Sequence, residues 1–167
     1  MIKAERIESD RSIECMQFYQ HVIADTPDMD QYGRWKNGLY PTEKDIERYI
    51  EKGAMYVLAE DDAIIGAMAV TMNQGDDYHS IHWALPLADD EVSVIHVLAV
   101  RPEDQGRGFG ERLIEEAVLI ARNAGKKALR LDALAGNTSA HHLYAKKGFA
   151  YRGKQNLYAE NTGWTDF

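Results

Sequence analysis

The sequence predicts one α/β domain over residues 1–167, a mixed central sheet of six to seven strands flanked by about four helices, on three observations. Runs such as MYVLAE, AIIGAMAVTM, VSVIHVLAV and ALRLDAL, which alternate with period 2 or are continuously apolar, take turns along the chain with segments of helical spacing. The helical segments carry their own punctuation, with Thr42 and Asn137 ahead of two of them and Gly53, Gly125 and Gly148 behind. The length suits one core, and neither an internal repeat nor a linker-like stretch divides it.

In chain order, a short strand is expected near Lys3 to Ile7. Ser9 or Asp10 is placed to cap a helix carrying Ile13, Met16, Phe18, Val22 and Ile23 and ending by Asp25. PDMDQYGRWKNGLYP reads as a loop with large side chains to bury, where Trp35, Leu39 and Tyr40 either pin the loop to the core or touch a substrate. Thr42 then caps a second helix with Ile46, Tyr49 and Ile50, and two strands come next, joined at Asp61-Asp62. Residues 73–91 break the pattern and receive no element. Val92 to Val100 is a strand with two apolar faces, Val92, Val94, His96, Leu98 and Val100 on one and Ser93, Ile95, Val97 and Ala99 on the other. A helix from about Phe109 to Asn123, the strand ALRLDAL, a helix capped by Asn137 and closed by Gly148, and one or two strands turning at Asn161-Thr162-Gly163 complete the order.

Composition excludes several classes of function. The 27 acidic against 19 basic residues give a net charge of −8, which opposes nucleic-acid binding because phosphate attraction needs clustered Lys and Arg. The N-terminus lacks the basic-then-apolar order of a signal peptide, and no apolar run is long enough to span a membrane, so a cytoplasmic protein without a membrane partner is expected. The lone Cys15 sits on the apolar side of its helix and reads as a packing residue; no Cys/His cluster has metal-ligand spacing, so no metal is expected.

The chemistry concentrates after Val100. In EDQGRGFG, Gly106, Gly108 and Gly110 permit turns that expose successive N–H groups where a helix begins, and helix N-terminal amides with the helix dipole attract an anion. The loop is neither a Walker sequence nor a dinucleotide fingerprint, and three glycines can also serve only a tight turn.

Leu98-Ala99-Val100-Arg101-Pro102 followed by Gln105-Gly106-Arg107-Gly108-Phe109-Gly110 resembles motif A of the GCN5-related N-acetyltransferases, the GNAT superfamily. Downstream, Asn137-Thr138-Ser139-Ala140, Leu143-Tyr144 and Gly148-Phe149 are similar to that family's motif B. The resemblance implies the GNAT fold, with acetyl-CoA as donor and an amine as acceptor, joined by direct transfer in a ternary complex. It puts Leu98, Ala99 and Val100 beside the pantetheine arm, on a strand splayed from the next by a bulge. Gln105 opens the signature, and Gly106, Arg107, Gly108, Phe109, Gly110 and Glu111 occupy the pyrophosphate loop. Asn137 stands where a side chain commonly touches the cofactor, and Tyr144 where the general acid protonates the leaving thiolate.

Amine transfer needs a proton taken from nitrogen and one given to sulfur. His96, expected on the face of Leu98, matches a catalytic histidine in the arylalkylamine branch of the family, or is a hydrogen-bonded core histidine. Asp132 is an alternative base, and Glu91 and a water chain are others. Trp35, Tyr40 and His96 are the candidate acceptor contacts, with Tyr78, His82 and Trp83 as further aromatics suited to a cation or, equally, to a homodimer surface. A small-molecule amine is favoured over a peptide amine. A noncatalytic acyl-CoA sensor on the same fold is the rival, and a P-loop nucleotide module is opposed by the missing phosphate lysine.

Overall fold

The computed structural model describes residues 1–167. Its elements are β1 (Glu5–Arg6), α1 (Ser12–Asp25), α2 (Glu43–Glu51), β2 (Met55–Glu60), β3 (Ala63–Thr71), β4 (Val92–Val100), α3 (Phe109–Asn123), β5 (Ala128–Arg130), α4 (Thr138–Lys146), β6 (Asn156–Ala159) and β7 (Gly163–Asp166). The expected α/β mixture is present, but its strands divide into a five-stranded sheet in the order β1-β2-β3-β4-β5 and a separate β6-β7 hairpin. Pairing is antiparallel from β1 to β4 and parallel between β4 and β5, where α3 supplies the crossover that parallel neighbours need.

The sheet separates two apolar layers. On one face α1 and α2 bury Cys15, Tyr19, Val22, Ile46 and Ile50 against Met55, Val57, Ala67, Ala69, Val97 and Ala99. On the other, Leu113 and Ala117 of α3 pack on Leu58, Ile65, Met68, Val70 and Ile95. The α1 stripe differs from expectation at its start. Ile13 falls off it and is 71% exposed, while Cys15 and Tyr19 join Met16, Phe18, Val22 and Ile23 inside. Neither Ser9 nor Asp10 caps the helix; both lie in a preceding 3-10 turn, and Arg11 holds the cap position without a side-chain bond. Thr42 caps α2 as expected, in a reciprocal box with Asp45. The β2–β3 hairpin turns at Asp61 and Asp62 with φ of 50° and 64°, left-handed values that aspartate tolerates in place of glycine.

Two departures from period 2 shape the site, the first at the bulge that the resemblance implies. In β4 the pairs Ala67↔Ala99 and Ala69↔His96 set three steps of β4 against two of β3, and Val97 takes φ of 46°, so the strand bulges there. The bulge resets the alternation: Val97 and Ala99 face the α1–α2 layer, whereas Ile95, Leu98 and Val100 face α3. His96 stacks on Tyr49 of α2, so it does not share the face of Leu98 as period 2 predicts. The second departure is the length of β5. Only Ala128–Arg130 of ALRLDAL pair with β4, opposite Val92, Ser93 and Val94, and beyond them the two strands part.

Candidate active site

One wall of the site is β4 together with the glycine loop and α3. Past Val94 the β5-facing edge of β4 has no sheet partner, so between Ile95 and Val100 the strand stays paired to β3 on one edge and is left without a neighbouring strand on the other. The bulge is pinned from behind by the buried phenol of Tyr19, which donates to the Val97 carbonyl at 2.7 Å. Val100 ends the strand with its carbonyl accepting from Gln105 Nε2 at 3.3 Å. In the loop, Gly106 and Gly108 take φ of 78° and 87°, with open space where a Cβ would stand, so conformation and not crowding selects glycine. Gly110 differs: a Cβ there would come within 3.2 Å of Leu143 of α4. The N–H groups of Gly106, Gly108, Phe109, Gly110 and Glu111 donate to nothing in the chain, and they converge at the start of the 15-residue α3. That cradle fits a diphosphate.

Arg107 adds less positive charge to the loop than its sequence suggests. Its guanidinium is bonded to Asp104 and lies 5.0 Å from the Phe109 ring centre. Asp104 is buried and also accepts from Arg101 Nε at 2.5 Å. Burial pushes the Asp104 carboxyl up, and the two guanidinium bonds outweigh it and hold it below the usual carboxylate range.

The opposite wall is made of side chains around Asp132, which comes just after β5 where the strands part. Tyr78 donates its hydroxyl to Asp132 Oδ2 at 2.6 Å. The negative charge of Asp132 also acts on the phenols of Tyr40, Tyr49 and Tyr144 and on the imidazole of His96, which come from the loop before α2, from α2, from α4 and from β4. Burial first, and Asp132 second, push the Tyr144 phenol up to about 12. Tyr144 rests edge-on against Phe149, with ring centres 5.9 Å apart. His96 meets Thr71 Oγ1 through Nε2 at 3.1 Å and stacks on Tyr49 at 5.5 Å. Burial lowers its pKa below the ordinary imidazole value, Asp132 opposes that, and Lys52 adds to it, so at neutral pH the ring is a free base.

Asn137 uses its side-chain oxygen to cap α4, accepting from Ala140 N–H at 3.2 Å. Trp35 packs 6.1 Å from Tyr19 against the core, and Tyr40 lies half-buried on the same cluster. A cavity of about 510 Å³ lies along β5, walled by Tyr78, Trp83, Leu131, Asp132, Tyr144 and Phe149 among others. Neither Trp35, Tyr40 nor His96 lines it. Tyr49, Thr71, Asp104 and Arg130 escaped the sequence reading as site residues. For Arg130 the signal was there: in ALRLDAL it shares a strand face with Asp132, and two charges on one face of an apolar strand mark a network.

A family model described as the acetyltransferase (GNAT) family matches residues 17–149. The mycothiol acetyltransferase of Nocardia farcinica is 34% identical over 82 residues, 48% of this chain and 27% of that protein. The uncharacterized N-acetyltransferase YvbK of Bacillus subtilis is 26% identical over 111 residues, 65% of this chain and 61% of that one. The chain spans between 27% and 35% of the length of the mycothiol acetyltransferases it matches. A solved GNAT-family acetyltransferase of Streptococcus agalactiae superposes with a TM-score of 0.77 at 22% identity, over 99% of this chain and 92% of that one, which establishes the shared fold.

Proposed function

Because the chain belongs to the acetyltransferase (GNAT) family, we propose that it moves the acetyl group of acetyl-CoA directly onto a primary amine, with no acyl-enzyme. What supports this most is one run of chain: the edge of β4 left without a sheet partner past Val94 leads through residues 101–105 into the unbonded N–H groups at the start of α3. Pantetheine would pair with the peptide groups of Leu98, Ala99 and Val100, and the diphosphate would take the N–H groups from Gly106 to Glu111. Asn137, already committed through its oxygen to the α4 cap, has its amide N–H groups to offer the cofactor.

In the reaction the amine nitrogen bonds to the thioester carbon and the C–S bond breaks. His96, a free base at neutral pH that stands outside the β5 cavity, takes the proton that the nitrogen sheds through an intervening water, at Nδ1 while Thr71 holds Nε2. Tyr144 keeps its proton across the working range and donates to the thiolate as it leaves. Asp132, which lines the same cavity as Tyr144, stabilises the positive charge that develops on nitrogen. The apolar walls of the β5 cavity, with Asp132 and Tyr144 among its lining residues, favour a small-molecule amine with an apolar body over a peptide.

The test is thiol release from acetyl-CoA over a panel of primary amines. Turnover of at least one amine is expected, with Tyr144→Phe losing about 100-fold in kcat and leaving the KM for acetyl-CoA in place. Tight CoA binding with no amine turned over would overturn the proposal in favour of an acyl-CoA sensor.

A further inference from the structure

Residues 72–91, which carry no strand or α-helix, are folded around one buried cation. Arg130 is 6% exposed and lies over Trp83, its guanidinium carbon 4.0 Å from the ring centre. It donates to Gln74 Oε1 at 2.7 Å and to the Leu85 carbonyl at 3.2 Å. Gln74 in turn donates to Asp89, which also meets His79, so the back of the segment is closed by side-chain bonds. Trp83 then fixes Tyr78 twice, by stacking at 5.8 Å with planes 17° apart and by an indole N–H bond to the Tyr78 carbonyl at 2.8 Å. The output of this chain of contacts is the Tyr78 hydroxyl on Asp132 Oδ2.

Resting on the proposed amine transfer, we infer that Tyr78 is a positioning residue: the Arg130–Trp83 stack holds its hydroxyl on Asp132 Oδ2, so that Asp132 serves as a fixed anion for the acceptor nitrogen and not as the base. Tyr78 is itself 6% exposed, so little of it is open to water as a substitute for Asp132. With Oδ2 engaged, Oδ1 is the oxygen left to face the nitrogen, and its direction is set by the phenol. A bound ammonium and the nitrogen turning positive during attack both gain from such an oriented charge, whereas taking a proton would require Asp132 to give up the charge that Tyr78 is placed to hold. The proton then goes to His96.

The experiment is a cycle of Tyr78→Phe, Asp132→Asn and the double variant, read as kcat and KM for the amine and for acetyl-CoA. Phenylalanine keeps the buried ring and its stack on Trp83. The expected result is a roughly ten-fold fall in kcat/KM for the amine in Tyr78→Phe, with KM for acetyl-CoA unchanged, and no further loss when Tyr78→Phe is added to Asp132→Asn. Equal losses in both backgrounds would assign Tyr78 a role in the fold alone and overturn the inference. So would Tyr78→Phe turning over like the parent. A second measurement works without turnover: the ¹³C resonance of the Asp132 carboxylate should move in Tyr78→Phe, identified by its absence in Asp132→Asn. An unmoved resonance sinks the positioning role even if no amine is ever acetylated, and a moved resonance in a protein that acetylates nothing would leave the contact standing and sink the transferase proposal instead.

Discussion

Along β4, the glycine loop and α3 the groups the fold leaves unpaired are peptide groups, whereas around residues 72–91, Asp132 and α4, joined by His96 from β4 and Tyr49 from α2, they are phenols, an imidazole and a carboxylate. The two walls fold by different means. The first is local but for one contact: a central strand, an αL-rich turn and a helix lie within residues 92–123, and Tyr19 alone reaches in from α1 to pin the bulge. The second is assembled from parts far apart in the chain, Tyr49 against His96 and Tyr78 against Asp132, around one buried guanidinium. A wall of backbone should tolerate changes of side chain but not of φ; a wall of side chains should behave the opposite way.

That contrast is sharpest at the glycines. Changing Gly106 and Gly108 together to alanine forces two residues with Cβ into left-handed φ, at a cost of about 1–2 kcal/mol each. The strain is relieved only if the loop leaves the cradle geometry. KM for acetyl-CoA should rise on the order of 30-fold with kcat nearly kept, while Gly75→Ala and Gly136→Ala, which also meet open space but lack positive φ, should change nothing. Equal effects at all four glycines would show that the cradle is not a backbone device.

The same division explains what could be read from the chain. The β4–loop–α3 wall was legible because periodicity, glycine spacing and helix punctuation are all local signals, and α3 falls at Phe109–Asn123 as expected. The bulge was not read from period 2, since a single residue at φ of 46° depends on the buried Tyr19 hydroxyl, brought from 78 positions away. Without that contact nothing in VSVIHVLAV reports where the alternation slips, and period 2 therefore puts His96 on the wrong face. The length of β5 failed for a related reason: ALRLDAL alternates throughout, but pairing stops where β4 turns away. Residues 72–91 were illegible because their order comes from Arg130, a residue of another element.

On the side-chain wall the informative change is His96→Gln. The groups facing the imidazole are Thr71, Tyr49, Asp132 and Lys52. Its folded pKa lies below the usual value, so the base form is already present at neutral pH and is lost only as pH falls through that lowered value. In the parent, kcat/KM should therefore climb on the acid side, with a midpoint below 6.5, and then level off. Tyr144, pushed up to about 12, should not cut the plateau before strongly alkaline pH. His96→Gln should lower the plateau by roughly 10-fold and abolish the acid limb. An acid limb that survives the substitution would move the base to another group.

The smallest effect is expected at the one side chain of the backbone wall that looks made for phosphate. Arg107 carries a full positive charge in the glycine loop, yet it is bonded to Asp104, and that carboxylate is held in place by Arg101 as well. To reach a diphosphate, Arg107 would have to abandon a buried anion; what it could gain at an exposed site is about 1 kcal/mol at most, and less as salt rises. Arg107→Ala should accordingly raise KM for acetyl-CoA by about two-fold, with a salt dependence close to the parent's, because the N–H groups of Gly106, Gly108, Phe109, Gly110 and Glu111 remain where they are. A ten-fold rise that disappears in high salt would mean that the guanidinium leaves Asp104 for the phosphate, and the division between a wall of backbone and a wall of side chains would have to be redrawn at this residue.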